Sequence, residues 1–225
     1  MTPNPPRSEA ELARRADALA GLRLGALAEQ LGLAVPREML RAKGWVGQLL
    51  ELALGASAGS RDEPDFPDLG VELKSLPIDA RGLPKESTFV CTIELCRIDG
   101  MEWASSRVRR KLERVLWVPV EADPKLEIAR RRVGQPLLWS PSPEQESALR
   151  FDWEELVGLI GCGQVDSITG HWGKHLQVRP KASSSRARRR GLDPDGAHVA
   201  ALPRGFYLRT SFTASLLREH YCPVA

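Results

Sequence analysis

The chain has 225 residues, of which 42% are hydrophobic and 27% are charged, and its formal net charge at pH 7 is +3. This composition excludes a largely disordered chain, and the mild basic excess permits a nucleic-acid partner without demonstrating one. The four cysteines have no regular spacing, no signal peptide is recognisable, and no apolar run approaches the length of a membrane span. We therefore expect a cytoplasmic protein with reduced thiols and no membrane partner.

Two short helices are predicted to follow an N-terminal arm. Residues 1–7 contain three prolines and are expected to form a flexible arm. Ser8 can cap a first helix, with Glu11 completing a capping box, and a second helix is expected at residues 24–31. The apolar residues of the first helix fall on one stripe, which indicates packing against a core.

A helix predicted at residues 44–55 carries a single acid on a stripe of small and polar residues. The members of this stripe are Gly44, Gly47, Gln48, Glu51 and Gly55, and leucines cover much of the rest of the helix. A carboxylate surrounded by apolar surface is costly to bury unless a cation or a hydrogen-bond donor meets it. The sequence therefore leaves two possibilities, a buried acid that meets a cation and an exposed glutamate on an amphipathic helix.

The ten residues 65–74, with the sequence DFPDLGVELK, hold two carboxylates and one ammonium group in a suggestive order. In a strand at residues 70–76, Glu72 and Lys74 point to the same face, which we expect to be exposed. The Pro- and Gly-containing turn before the strand is long enough to bring Asp65 back beside Glu72. Carboxylate oxygens of this kind bind Mg²⁺.

These groups suit the hydrolysis of a phosphodiester. The attack of water builds negative charge on the phosphate oxygens, and divalent ions neutralise that charge and lower the pKa of a water. A lysine can stabilise the same charge. The pattern alone is weak, because an Asp followed by Glu-x-Lys arises by chance about once in a chain of this size. A Glu and a Lys two residues apart on a strand are also compatible with a solvated face.

The remaining predicted elements alternate between strands and helices. A hairpin tip at residues 79–84 is expected to lead into a strand at residues 87–93 that pairs with the acidic strand. Further predictions are a basic helix (105–112), strands at 115–120 and 136–139, a long helix from Ser142 to 161–163, a strand within 174–181, a basic loop (183–190), a strand (205–209) and a helix (213–219).

Blocks of sequence along nearly the whole chain resemble the MutH family of DNA mismatch repair endonucleases. In order, these blocks lie at residues 43–60, 69–74, 88–91, 115–121, 131–134, 137–141 and 202–208. The resemblance implies the restriction endonuclease-like α/β fold, in which a mixed sheet is flanked by helices and two lobes form a cleft for duplex DNA. It also implies one nuclease domain over residues 1–225. Composition alone predicts the flexible arm at 1–7 and a basic, mobile loop at 183–196, and this loop does not match the family pattern.

The resemblance further implies a Mg²⁺-dependent, monomeric endonuclease of mismatch repair. Such an enzyme nicks the unmethylated strand of a hemimethylated GATC site on the 5′ side of G, when MutL, loaded by MutS at a mismatch, activates it.

Residues of the chain match the family's catalytic set and its DNA contacts. The catalytic set is Glu51, Asp65, Glu72 and Lys74, in which the three carboxylates would bind the metal and the lysine would orient the attacking water. Residues expected to contact DNA are Lys43, Phe89, Lys111, Arg179, Lys181 and Tyr207. An arginine can bond guanine in the major groove, and a tyrosine near adenine could sense an N6-methyl group.

Two rival functions remain open at the level of sequence. A stand-alone restriction enzyme of the same fold would cleave both strands without a partner protein. A catalytically silent DNA-binding module would be the other, but the intact Asp65, Glu72 and Lys74 argue against it.

Overall fold

A computed structural model describes residues 3–37, 44–59, 61–95, 98, 100–181, 189–192 and 198–222. The chain divides into two compact units, Met1–Lys85 with Glu113–Ser140, and Glu86–Leu112 with Pro141–Ala225. Across the described ranges, no helix combines the length and the apolar character that a membrane crossing requires.

The helices are α1 (Glu9–Asp17), α2 (Leu24–Gln30), α3 (Trp45–Leu54), α4 (Arg107–Leu112), α5 (Pro143–Gly161) and α6 (Thr210–Tyr221). The strands are β1 (Glu72–Ile78), β2 (Thr88–Thr92), β3 (Val115–Glu121), β4 (Leu137–Trp139), β5 (Leu176–Pro180), β6 (Arg189–Leu192), β7 (His198–Ala201) and β8 (Arg204–Leu208). The predicted class, α/β with a mixed sheet and flanking helices, is confirmed.

The first unit contains α1 to α3 and the mixed sheet β1-β3-β4. Strand β3 lies in the middle, parallel to β1 and antiparallel to β4, and all of its residues except the last are buried. One face of the sheet, including Leu73, Leu116 and Val118, packs into a core with leucines of the three helices. Because side chains alternate along a strand, Glu72 and Lys74 lie on the opposite face.

Side-chain hydrogen bonds fix the ends of α1 and α3. The Ser8 hydroxyl accepts a bond from the Glu11 amide, so the predicted cap is confirmed, while the Glu11 carboxylate accepts from the Arg7 amide. Arg15 donates to the carbonyls of Asn4 and Leu54, at 2.6 and 3.1 Å. The end of α3 is therefore tied to the segment that precedes α1.

The second unit contains α4 to α6, the antiparallel sheet β2-β8-β5 and the ribbon β6-β7. The ribbon includes part of the segment predicted as a basic loop, and residues 182–188 and 193–197 lie outside the described ranges. Helix α5 begins with the predicted cap, because Ser142 and Gln145 form a reciprocal capping box.

The loop that leads into β5 is held by one acid and one base. Asp152 of α5 is only 3% exposed, and its carboxylate accepts bonds from the consecutive amides of Lys174, His175 and Leu176. Arg209 donates to the carbonyls of residues 170, 172 and 173 in the same loop. These bonds fix the start of β5, the strand that carries Arg179.

The predicted pairing of the acidic strand is wrong. Strand β1 pairs with β3, whereas β2 pairs with β8 in the second unit. The turn at residues 79–84 does form, with the Leu83 amide bonded to Asp79, but the strand after it leaves the sheet. The uninterrupted apolar run of β3 suits a central strand that is buried on both faces, and this burial favours its pairing with β1.

Candidate active site and nucleic-acid interface

A tight turn brings Asp65 beside β1. Residues Phe66 and Val71 form an antiparallel bridge around a 3₁₀ turn, and Gly70 closes the turn with a φ of 65°. That left-handed conformation favours glycine. The Asp65 carboxylate accepts a 2.7 Å bond from the amide of Leu73, the residue between Glu72 and Lys74. This bond holds Asp65 against the strand that carries both of those residues.

Glu72 and Lys74 form an ion pair on β1. The Lys74 Nζ donates to Glu72 Oε1 at 2.7 Å. The Lys74 side chain is 11% exposed and Glu72 as a whole is 5% exposed. The expectation that both lie on an exposed face is therefore wrong. The opposite charge makes this burial tolerable, because a buried ion is stable only when it is paired or hydrogen-bonded.

Glu51 on α3 faces the same acids. Burial raises the pKa of the Glu51 carboxyl, the negative charges of Asp65 and Glu72 raise it further, and Lys74 opposes the rise. The residue is partly buried, so the interpretation as a fully solvated glutamate is wrong. A Cβ at Gly47 would lie 3.9 Å from Glu51 Oε1, an ordinary van der Waals distance, so the carboxylate does not require glycine at this position.

The chemistry of this donor set fits a divalent cation. The negative charges of Asp65 and Glu72 both act on the Glu51 carboxyl, and a cation bound among the three carboxylates would relieve this repulsion. Within the described ranges, however, no three acidic, histidine or cysteine side chains are gathered tightly enough to form a ready-made metal site. One Glu72 oxygen is bonded to Lys74 and one Asp65 oxygen to a backbone amide, so ion binding would use their other oxygens or rearrange these bonds.

Four of the predicted DNA contacts lie together on the sheet of the second unit. Phe89 and Tyr207 are directly opposed on β2 and β8, and their rings meet edge to face with centroids 5.3 Å apart. The Lys181 Nζ lies 2.8 Å from the centre of the Phe89 ring, and the Arg179 Cζ lies 5.9 Å from the centre of the Tyr207 ring. We call these four residues the aromatic–cation cluster.

Two further residues shape this cluster, and sequence reasoning did not identify either as functional. A Cβ at Gly205 would lie 2.9 Å from a Phe89 ring carbon and 3.0 Å from the Cys91 carbonyl oxygen, so only glycine leaves room for that ring. Ser87 accepts a 2.6 Å hydrogen bond from Arg179 Nη1. The glycine lies in a block quoted for the family resemblance, but a bond between residues 92 positions apart has no signal in a single sequence.

The phenol of Tyr207 is kept neutral. Burial raises its pKa, the positive charge of Arg179 lowers it, and Glu86 raises it. A neutral phenol can donate a hydrogen bond and present an aromatic ring to a base without adding charge.

The other two predicted DNA contacts, Lys111 and Lys43, do not belong to the aromatic–cation cluster. Lys111 lies in the last turn of α4, in the second unit, and is partly buried. Lys43 lies outside the described residues. The four predicted catalytic residues thus belong to the first unit, and all the described DNA-contact candidates belong to the second.

Comparison with known proteins identifies the family. The model of the family described as DNA mismatch repair enzyme MutH matches residues 54–152. The DNA mismatch repair protein MutH of Serratia proteamaculans is 54% identical over 219 residues, which cover 97% of this chain and 96% of that protein. The protein of the same name from Yersinia enterocolitica is 52% identical, with coverages of 98% and 97%, and that from Klebsiella pneumoniae strain 342 is 53% identical, with coverages of 97% and 94%. With identity above one half over almost its entire length, the chain belongs to the MutH family of DNA mismatch repair enzymes.

Proposed function

We propose that this protein is the Mg²⁺-dependent endonuclease that nicks the unmethylated strand of hemimethylated GATC sites, 5′ of the guanine, during mismatch repair. Family membership gives the coarser statement, that the protein is a nuclease that binds DNA in mismatch repair. The sequence specificity, the methylation dependence and the metal are proposals. So are activation of a cytoplasmic monomer by MutL and the indirect role of MutS.

The observation that carries the proposal is the joint placement of three carboxylates and one lysine around β1. Asp65 and Glu72 would bind the ion, and Glu51 would complete the acidic set. A bound divalent ion supplies positive charge to the scissile phosphate.

Lys74 would act on the attacking water and on the phosphate. Its ammonium group is already held by Glu72 in a site with little exposure to solvent, so its charge is poorly screened and acts strongly on a neighbouring anion. The same carboxylate holds the lysine in a fixed orientation before substrate arrives.

The aromatic–cation cluster would recognise the site. Arg179 presents a planar set of donors that matches the two acceptors of guanine in the major groove. Tyr207 presents a ring beside that arginine, where contact with adenine would be sensitive to the volume of an added methyl group. Lys181 and Lys111 would contribute sequence-independent attraction to phosphates.

A nicking assay tests the whole proposal. Duplexes with unmodified, hemimethylated and fully methylated GATC sites are incubated with the protein, with and without MutL and magnesium. We expect magnesium-dependent nicking that MutL accelerates, that is confined to the unmethylated strand, and that is lost on the fully methylated duplex. Cleavage of both strands at the same rate without MutL would instead identify a stand-alone restriction enzyme.

Variants of the site separate chemistry from binding. Lys74→Ala should abolish nicking while retaining DNA binding, whereas the exposed Lys125→Ala serves as a charge-matched control in the same unit and should nick normally. A Lys74→Ala protein that folds and nicks at the wild-type rate would remove this site from consideration.

A further inference from the structure

The Arg179 guanidinium is restrained although the residue is exposed. An exposed arginine ordinarily samples many rotamers, and that freedom is lost when it binds a partner. Here Nη1 donates to the Ser87 hydroxyl at 2.6 Å, and the guanidinium carbon lies over the Tyr207 ring. These two contacts act on different parts of the group, since the hydrogen bond fixes the direction of one nitrogen and the ring attracts the positive charge as a whole.

The contact with Ser87 uses Nη1 and not the Nε–Nη2 edge of the guanidinium. Within the described part of the chain, Arg179 Nε and Nη2 make no hydrogen bond. These two nitrogens carry parallel N–H groups along the side of the guanidinium. Parallel N–H groups are what a bidentate contact with O6 and N7 of guanine requires.

Ser87 and Arg179 belong to the two chain segments on either side of one strand, and the long arginine side chain extends along that strand to the serine. Both flank the central strand β8, Arg179 on β5 opposite Gly205, and Ser87 directly before β2, whose first residue pairs with Leu208. Serine has a short side chain with a single rotatable bond to its oxygen, so it makes a stiffer anchor than a longer polar residue would.

We propose that Ser87 is a positioning residue for sequence recognition, which holds Arg179 with its Nε–Nη2 edge directed outward to a guanine. The inference rests on the proposed function, because it assumes that Arg179 reads guanine. Ser87 itself acts through the arginine. Removal of its hydroxyl leaves the arginine present and charged but free to rotate, so general attraction to DNA stays and discrimination falls.

The test compares a GATC duplex with one in which the guanine is replaced by 7-deazaguanine, which lacks the N7 acceptor. Binding to both duplexes is measured for the wild type and for Ser87→Ala, Ser87→Thr and Arg179→Ala. For the wild type we expect a preference of about 5- to 100-fold for the natural guanine, and for Arg179→Ala almost none. In Ser87→Ala the preference should shrink by about 3- to 10-fold, the size expected for the net contribution of one ordinary hydrogen bond. Ser87→Thr keeps the hydroxyl and should restore it.

Controls separate this inference from its premise. Ser167→Ala removes an exposed hydroxyl elsewhere in the second unit and should keep the full preference. Thermal unfolding of every variant shows whether a lost preference reflects a loss of fold. The Ser87→Thr variant then shows whether a hydroxyl at this position is enough to keep the preference. If the wild type and Arg179→Ala behave as expected but Ser87→Ala keeps the full preference, the role of Ser87 is overturned and the proposed function stands. If the wild type binds GATC no better than a scrambled duplex, the proposed function and the inference both fail.

Discussion

Replacement of Asp152 should strongly destabilise the second unit. The carboxylate accepts three backbone bonds of 2.9, 2.5 and 2.8 Å from Lys174, His175 and Leu176, and it is almost completely buried. In Asp152→Ala the fully buried Leu176 bond is lost at about 2 kcal/mol, because a buried amide is left without an acceptor. The other two amides are only partly buried and can bond to water, so we assign about 1 kcal/mol to each. The sum is about 4 kcal/mol, a large part of the stability of an ordinary domain.

Guanidinium chloride unfolding, followed by tryptophan fluorescence, measures this change. Trp153, the buried neighbour of Asp152, is one of the six tryptophans, so unfolding of the second unit contributes to the change in emission. Asp152→Asn keeps an oxygen acceptor and should lose about half as much stability. Glu154→Ala, on the same helix, removes only an exposed pair with Arg150 and should change stability by less than about 0.5 kcal/mol. An Asp152→Ala protein within about 1 kcal/mol of the wild type would refute the assigned role of the carboxylate.

Three further predictions concern the first unit and the recognition sheet. Because the pKa of Glu51 is raised in the folded protein, its folded state holds a proton more tightly than the unfolded state does. Without metal, the contribution of Glu51 to wild-type stability should therefore fall as the pH rises from the unfolded pKa, about 4.3, through the raised folded pKa. The Glu51→Gln variant should lack this contribution and be more stable than the wild type at pH 7. Urea titrations in EDTA across this range measure the effect, and parallel curves for the two proteins would contradict it. Lys74→Ala should also lower stability by about 3 kcal/mol in denaturant unfolding, because it leaves the buried Glu72 carboxylate without its cation; an unchanged midpoint would show that solvent reaches that carboxylate. Gly205→Ala should weaken DNA binding and lower stability by about 1–3 kcal/mol through overpacking, measured by DNA titration and thermal unfolding. Gly158→Ala, where a methyl group meets open space, is its control.

Family resemblance carried most of the functional prediction. The short acidic pattern of Asp65, Glu72 and Lys74 is also compatible with a solvated strand, and only the ordered blocks along the chain make it specific. The roles of the predicted site residues remain predictions, although the charges of Asp65, Glu72 and Lys74 all act on the Glu51 carboxyl. The location of Glu51 on a glycine-containing helix face was readable from sequence because helical periodicity is a local property.

Features that depend on neighbours a few residues away are readable from the amino-acid sequence. The hydroxyl groups of Ser8 and Ser142 cap their helices by bonding to backbone amides three residues away. The turn at Gly70 forms because glycine, without a side chain, tolerates a left-handed φ. The tertiary structure alone decided that β1 pairs with β3, that Glu72 is buried, and that Ser87 meets Arg179. Strand pairing and burial depend on which distant surfaces fit together, and an apolar run is equally compatible with several partners until the whole core is packed.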